Sequence, residues 1–320
     1  MGIVRHDPAL LATMIFTASA CAKVILLGEH AVVYGIPALA APVSQVRATA
    51  SLTLGGHALR IIAPAVHLDA TLDKLGPREP LAVSARLVSE FYHRDPPEGV
   101  LEVRSEIPVA SGMGSGAAVT AAIVRVLSRA LGQEASPQEV SALVLEVEHL
   151  HHGTPSGIDN AVIALEKPIY FVRDQPPSPL MVGRPFTLMI ADSGQKSPTR
   201  DAVAGLRDRM TLAPEKYRAI LETIGHLVET GRTAIATGAE EELGRAMTSC
   251  HWELQALGVS NSRLDRMVTE ALSAGALGAK LSGAGLGGIV IALVRATQLE
   301  EVTAAWRSLG VPWLHSTRVS

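Results

Sequence analysis

The sequence predicts an α/β or α+β protein with a domain boundary near residues 175–185. Hydrophobic residues make up 48% of its 320 residues, which is enough to form a sizeable core. Strand-like and helix-like patterns are mixed before the boundary, whereas helical patterns dominate after it. We therefore expect two domains, residues 14–180 and residues 181–320, preceded by an N-terminal extension over residues 1–13.

The elements before the boundary begin with a strand. Residues 17–35 predict a strand, a tight turn at Gly28 and a second short strand that ends at Gly35. Ser136 and Glu139 form the pattern of a capping box at the start of a helix. Further strands are predicted over residues 45–56, 59–72 and 100–109, and helices over residues 80–94, 116–131 and 136–153.

The elements after the boundary are mostly helices between short strands. A strand is predicted over residues 186–194, and a glycine-rich turn leads into another strand within residues 279–294. A last helix and a short strand close the chain. The predicted helices span residues 198–209, 213–236, 238–256, 261–273 and 297–308.

Composition and charge exclude several classes of protein. The net charge is −3 and no Lys/Arg cluster stands out, which argues against nucleic acid as a partner. Two distant cysteines, Cys21 and Cys250, form neither a disulfide framework nor a zinc site. No stretch approaches the roughly 18 apolar residues of a membrane span, and Asp7 lies where a secretory signal needs basic residues. We expect a cytoplasmic protein that does not bind membranes.

Two glycine-rich stretches were considered as ligand sites. The loop at residues 108–116 lies between a strand and a helix, where unpaired backbone N–H groups and the helix dipole favour phosphate. It lacks the lysine of a Walker A loop, and a closely packed turn of small residues is the alternative. Residues 283–288 match GxGxxG but precede a strand, so they do not predict dinucleotide binding. They predict a strand-entry turn or a backbone wall beside a substrate pocket.

Several charged side chains stand in unusual contexts. Lys23 lies inside an apolar strand, where it either extends to the surface or points into a polar cavity. Glu29 and His30 follow a glycine turn, which predicts either a solvated hairpin tip or two polar groups at one site. Glu148 lies close to three histidines, but their spacing does not match a zinc motif. Asp159 follows a constrained turn that either caps a helix or fixes a catalytic carboxylate.

Together these stretches resemble the GHMP kinases. Three family motifs occur in order, namely KVILLGEHAVVYG, PVASGMGSGAAV and KLSGAGLGGIVI. The run HGTPSGIDN at residues 152–160 is most similar to the mevalonate kinase branch. The resemblance implies an α+β fold with an N-terminal domain like ribosomal protein S5 domain 2 and a ferredoxin-like C-terminal domain. It places the active site in the cleft between them.

The resemblance also implies a reaction and residue roles. The γ-phosphoryl group of ATP would pass to the 5-hydroxyl of mevalonate, a reaction that depends on positioning and charge neutralisation. Asp159 would accept or orient the hydroxyl proton, and Lys23 would stabilise the charge on the transferred group. Glu148 and Ser115 would hold Mg²⁺, and the protein is expected to be a homodimer. The residues expected to bind ATP are Pro108, Ser111, Gly112, Met113, Gly114, Ser115, Gly116 and Ala117, and those expected to border the substrate are Glu29, His30, Thr199 and Ala284.

Two positions depart from the family pattern. Gly116 stands where the family has a second serine that binds magnesium, so Ser115 or water must complete the metal shell. Cys21 and Ala22 replace a Pro-Gly pair before Lys23. Two alternatives stay open at this point: a kinase acting on phosphomevalonate, the 3-hydroxyl of mevalonate or a sugar-like alcohol, and a non-catalytic ligand-binding homologue.

Overall fold

The computed structural model describes residues 14–152, 155–196 and 199–320. Of residues 151, 152, 199 and 200, it describes only the backbone. The described residues form two β-sheets. The first has seven strands and the second has four, and the predicted boundary at residue 180 lies between the last strand of the first sheet and the first strand of the second. The exact domain division stays a prediction. Among the described residues, no helix is both long enough and apolar enough to cross a bilayer.

The first sheet is built around two long strands, β1 (Ile15–Leu27) and β2 (Ala38–Leu54), which pair antiparallel along most of their length. Their register shifts between Cys21 and Ala22, which marks an irregularity next to Lys23. The strand order is β4-β3-β5-β2-β6-β7, with β1 on the other side of β2, and only β3 and β5 pair parallel. The other strands are β3 (Leu59–Ala63), β4 (Leu68–Thr71), β5 (Gly99–Ser105), β6 (Ile169–Phe171) and β7 (Ser178–Pro179).

Four helices accompany this sheet: α1 (Pro80–Tyr92), α2 (Ser115–Ala130), α3 (Pro137–His152) and α4 (Ile158–Leu165). Helix α2 packs on β1 and β2 through a face of alanines and β-branched residues, all of them buried. Small side chains allow the helix backbone to approach the sheet closely. The predicted capping box of α3 is confirmed, because the Ser136 hydroxyl accepts from the Glu139 N–H and the Glu139 carboxylate accepts from the Ser136 N–H.

The second sheet is antiparallel, in the order β11-β8-β10-β9. Its strands are β8 (Phe186–Asp192), β9 (Gly278–Ser282), β10 (Ile289–Val294) and β11 (Trp313–Val319). The accompanying helices are α5 (Thr199–Leu212), α6 (Pro214–Thr237), α7 (Glu240–Ala256), α8 (Ser262–Ser273) and α9 (Leu299–Ser308). Helix α7 reaches β9 through two glycines, since a Cβ at Gly278 would lie 2.0 Å from the Gly244 carbonyl oxygen.

Most of the predicted elements are confirmed within a few residues, but the second short strand before Gly35 is wrong. Residues Ala31–Tyr34 form a 3-10 helix instead. The segment is short and lies between Gly28 and Gly35, whose φ values of +100° and +83° turn the chain at both ends. The short-range bonds from the Val32 N–H to the Gly28 carbonyl and from the Val33 N–H to the His30 carbonyl satisfy its backbone instead.

Candidate active site

Lys23 and Asp159 form a close ion pair in the interior of the first domain. The Lys23 ammonium lies 2.9 Å from the Asp159 carboxylate and also donates to the Gly112 carbonyl at 2.9 Å. The lysine side chain is 3% exposed, whereas the aspartate side chain is 25% exposed. Lys23 therefore points into a polar site, and the interpretation that it extends to the surface is wrong. Asp159 lies in the first turn of α4 after Gly157, which is the helix N-cap, so the aspartate does not cap the helix itself.

The helix that carries Asp159 is held along its length. The Asn160 side chain donates to the hydroxyl of Ser141 on α3 at 2.7 Å. At the other end of α4, Arg125 donates to two backbone carbonyls of the last turn and to Glu166, which follows the helix. Such bonds replace the intrahelical partners that the final carbonyls lack. The orientation of Asp159 therefore depends on contacts made by α2 and α3.

The loop before α2 is attached to β1. The Lys23 N–H donates to the Met113 carbonyl at 3.1 Å, and the Ser111 hydroxyl donates to the Pro108 carbonyl at 2.8 Å. Met113 is fully buried and packs in the core, so its side chain is not available to a ligand. The small residues of this loop therefore serve close packing as well, and the two alternatives considered for it are compatible.

Gly114 places the N-terminus of α2 beside Lys23. Its φ is +71°, and a Cβ there would lie 2.9 Å from the Ile163 side chain and 3.2 Å from the Lys23 side chain. A larger residue would therefore displace the lysine or strain the backbone. No side chain caps the helix at this position, so the first N–H groups of α2 are available to an anion.

The first three residues of α2 differ in their surroundings. Ser115 is half-buried, Gly116 is exposed and Ala117 is buried. A Cβ built at Gly116 would meet no atom within 4 Å, and its φ lies in the ordinary helical region. The position therefore has room for the hydroxyl group that the family carries there.

Glu148 adds a second carboxylate to the Lys23–Asp159 pair. Its pKa is raised to about 8 by burial and by repulsion from Asp159, against the attraction of Lys23. The two carboxyl groups lie beside a single ammonium, and a divalent cation would favour the form in which both are ionised. Among the described residues no group of three His, Cys, Asp or Glu side chains could hold a metal. Mg²⁺ commonly takes one or two carboxylates and completes its shell with phosphate and water, and the donor set of Glu148 and Asp159 fits that pattern.

A second group of polar residues lies where the two sheets meet. Gly28 has a φ of +100°, and a Cβ there would lie 2.6 Å from the Pro37 carbonyl, so only glycine fits the turn. The turn places Glu29 and His30 in the interior, where they are 1% and 7% exposed. The interpretation as a solvated hairpin tip is therefore wrong.

His30 connects the first domain to the glycine-rich hairpin loop between β9 and β10. Its Nε2 lies 2.8 Å from the Ala284 carbonyl oxygen. Burial lowers the pKa of His30 to about 4, so the ring is neutral at pH 7 and Nε2 carries the proton that it donates. The two glycine stretches also touch, because a Cβ at Gly283 would lie 3.2 Å from the Gly112 Cα. The loop after β9 therefore packs against the loop before α2, and its role as a wall of a substrate pocket stays a prediction.

Sequence reasoning missed Lys280 on β9. Its ammonium forms an ion pair with the Glu29 carboxylate and donates to the Leu281 carbonyl at 2.6 Å. Both partners of the pair are buried, with side chains that are 0% and 1% exposed. The available signal was the one used for Lys23, a lysine next to apolar residues at the start of a glycine-rich motif. The predicted substrate residue Thr199 begins α5, and its side chain lies outside the described residues.

Comparisons with known proteins agree with this geometry. The model of the GHMP kinases N terminal domain matches residues 81–167, and that of the GHMP kinases C terminal domain matches residues 232–311. The chain is 36% identical over 327 residues to the mevalonate kinase of Pyrococcus horikoshii, covering 95% of each protein. A crystal structure of L. major mevalonate kinase with R-mevalonate has a TM-score of 0.83 at 24% identity and covers 97% of this chain and 98% of that one. Streptococcus pneumoniae phosphomevalonate kinase, solved with phosphomevalonate and AMPPNP, reaches 0.81 at 17% identity over 95% and 99% of the two chains.

Proposed function

Because the chain belongs to the GHMP kinase family, we propose that it transfers the γ-phosphoryl group of ATP to the 5-hydroxyl of mevalonate. The observation that carries this proposal is the Lys23–Asp159 pair beside the uncapped N-terminus of α2. The choice of mevalonate rests on the sequence identity to a mevalonate kinase over nearly the whole chain. The fold does not select the substrate, since a phosphomevalonate kinase shares it.

In the proposed reaction, the hydroxyl oxygen of mevalonate forms a bond to the γ-phosphorus and the bond to the β–γ bridging oxygen breaks. Asp159 orients the hydroxyl and accepts its proton, and ADP leaves with the electron pair of the broken bond. Lys23 lies 2.9 Å from that carboxylate and stabilises negative charge on the transferred group. The N–H groups at the start of α2 bind the phosphates.

Mg²⁺ is the proposed metal, held by Glu148 and by the hydroxyl of Ser115. Bound Mg²⁺ supplies positive charge next to the β- and γ-phosphates. The raised pKa of Glu148 supports this role, because a cation would favour the ionised carboxylate that its neighbours disfavour. Ser115 or a water molecule would complete the metal shell where Gly116 offers no hydroxyl.

The proposed substrate pocket is bordered by Glu29, His30, Thr199 and Ala284. The contact between His30 and the Ala284 carbonyl supports this placement, because it joins two of these positions across the cleft. We also propose a homodimer, which rests on the family resemblance alone, and a cytoplasmic location, which rests on the sequence composition.

The test is ADP release from the purified chain with a panel of alcohols at fixed ATP, with and without Mg²⁺. The panel contains mevalonate, phosphomevalonate and galactose, and the product of the mevalonate reaction is analysed by NMR to locate the phosphoryl group. We expect the highest kcat/KM with mevalonate, phosphorylation at the 5-hydroxyl and no turnover without a divalent cation. A higher kcat/KM with another alcohol, or phosphorylation at the 3-hydroxyl, would reject the proposed substrate or position.

A further inference from the structure

The Lys280–Glu29 pair joins the two domains at the substrate side of the cleft. Glu29 follows β1 of the first sheet, and Lys280 lies on β9 of the second sheet. Both side chains are buried, and burying two charges costs free energy that a pair of apolar residues would not incur. The pair is therefore not expected to add much to the stability of the fold, and its presence beside the proposed substrate pocket needs another explanation.

The Glu29 carboxylate is only half satisfied. Its Oε1 accepts from the Lys280 ammonium, whereas its Oε2 is buried and has no hydrogen-bond partner within the described part of the chain. A buried carboxylate oxygen without a donor is costly, so such atoms usually await a ligand or water. The ring of the neighbouring residue His30 is hydrogen-bonded to the Ala284 carbonyl, so it does not donate to Glu29. The free oxygen is thus an acceptor without a donor, next to the proposed substrate pocket.

Lys280 is itself fixed on several sides. Its ammonium donates to the Leu281 carbonyl at 2.6 Å, and the N–H of Leu281 in turn donates to the His251 ring at 3.3 Å. The other ring nitrogen of His251 contacts the Asp265 carboxylate at 3.1 Å. Strand β9 and its lysine are therefore held by a polar network inside the second domain, which gives Glu29 a rigid partner.

We propose that Lys280 is a positioning residue for substrate binding: it holds Glu29 across the domain cleft so that the free carboxylate oxygen accepts a hydrogen bond from a hydroxyl of the substrate. This inference rests on the proposed function, because it assumes a hydroxylated substrate such as mevalonate in this pocket. Burial raises the pKa of Glu29, and the Lys280 ammonium opposes that rise and so favours the charged carboxylate. Lys280 acts through Glu29 and has no part in phosphoryl transfer.

The test compares Lys280→Met with wild type in steady-state kinetics, varying mevalonate and ATP separately. We expect the KM for mevalonate to rise roughly 10- to 100-fold, the range that corresponds to a hydrogen bond to a charged group, while the KM for ATP stays within about 2-fold. Lys280→Arg keeps the positive charge and should recover a large part of the loss. An unchanged KM for mevalonate, or an equal rise for both substrates, would overturn the positioning role.

A matched control removes another contact between the domains, one that is partly buried. The Thr317 hydroxyl on β11 donates to the Gln45 side chain on β2 at 2.8 Å, and Thr317 is 2% exposed. Thr317→Val should lower the melting temperature without raising the KM for mevalonate. If this variant raised that KM as much as Lys280→Met does, loosening of the interface would explain both results and the proposal would fall.

Lys280→Met leaves a buried carboxylate without its counter-charge. If this variant does not fold, a double variant tests the role of the pair instead. Glu29→Gln combined with Lys280→Met keeps both shapes and removes both charges, so it should fold. A wild-type KM for mevalonate in the double variant would show that the pair is only structural. Wild-type turnover is measured in parallel: its absence with mevalonate would overturn the proposed substrate, whereas wild-type turnover beside unaffected variants would overturn only the role of Lys280.

Discussion

Gly116→Ser restores the hydroxyl group that the family carries at the second position of α2. A Cβ at this exposed position meets no atom within 4 Å, so the folded chain accommodates the serine without strain. The serine oxygen would replace one water molecule on the bound cation. We expect the Mg²⁺ concentration for half-maximal rate to fall by about 2- to 10-fold, which corresponds to the net free energy of one hydrogen bond, about 0.5–1.5 kcal/mol.

Gly116→Ala is the matched control, because it adds the Cβ without an oxygen. Both substitutions favour the helix, by about 0.5 kcal/mol for serine and about 1 kcal/mol for alanine. Such gains correspond to a rise of about 1–4 °C in melting temperature for a domain of this size. Only the serine variant should change the Mg²⁺ dependence, and a rise in the KM for ATP in both variants would indicate that the side chain obstructs the phosphates.

The assay measures the initial rate against free Mg²⁺ at saturating ATP and mevalonate, together with thermal melting of each variant. A serine variant with the same Mg²⁺ dependence as the alanine variant would refute the reasoning that water stands in for the missing ligand. A serine variant faster than wild type by orders of magnitude would show that Gly116 impairs the natural chain.

Three further predictions concern other parts of the molecule. Asp159→Asn should lower kcat by about 100- to 10,000-fold while ATP binding, measured by calorimetry, persists; near-normal turnover would remove Asp159 from its role. Burial lowers the pKa of His251 to about 4, so the unfolded chain binds a proton that the folded chain excludes. Stability is then fully present above about pH 6.5 and falls towards pH 4, and His251→Gln should reduce the slope of the melting temperature across that range. Part of the slope remains, because burial lowers the pKa of His30 in the same way, and an unchanged slope would exclude His251 as a cause. Glu166→Gln should lower the free energy of unfolding in urea by about 1–3 kcal/mol, because two arginines donate to this carboxylate. The exposed ion-pair residue Glu102 is its control, with an expected loss below about 1 kcal/mol, and equal losses would contradict the prediction.

Much of the group around Lys23, Asp159 and the loop before α2 could be predicted from the sequence. The loop before α2 was recognisable because the features that bind phosphate are local: a strand, glycines and an uncapped helix start. Lys23 and Asp159 stood out as a charge in an apolar strand and a carboxylate after a constrained turn. Their pairing, however, came from the family resemblance, since no local pattern indicates that two such distant residues meet.

The substrate half was less accessible to sequence reasoning. The sequence allowed Glu29 and His30 to lie in a solvated turn, and Lys280 was not singled out within its glycine-rich motif. Their burial and pairing arise where two separately formed sheets pack together, and hydrophobic periodicity carries no information about that contact. In Ala31–Tyr34, strand propensity was overruled by the turns at Gly28 and Gly35 and by the short-range backbone bonds between them.

The sequence by itself determined most of the order of the elements, the glycine-rich loop before α2 and the absence of a side-chain oxygen at Gly116. These depend on chain-local chemistry, namely the spacing of apolar residues, the conformational freedom of glycine and the identity of a single side chain. Only the tertiary structure decided that Glu29 is a buried carboxylate held by Lys280 with one oxygen free. The reason is that the energy of a buried charge depends on the partners that packing brings to it from elsewhere in the chain.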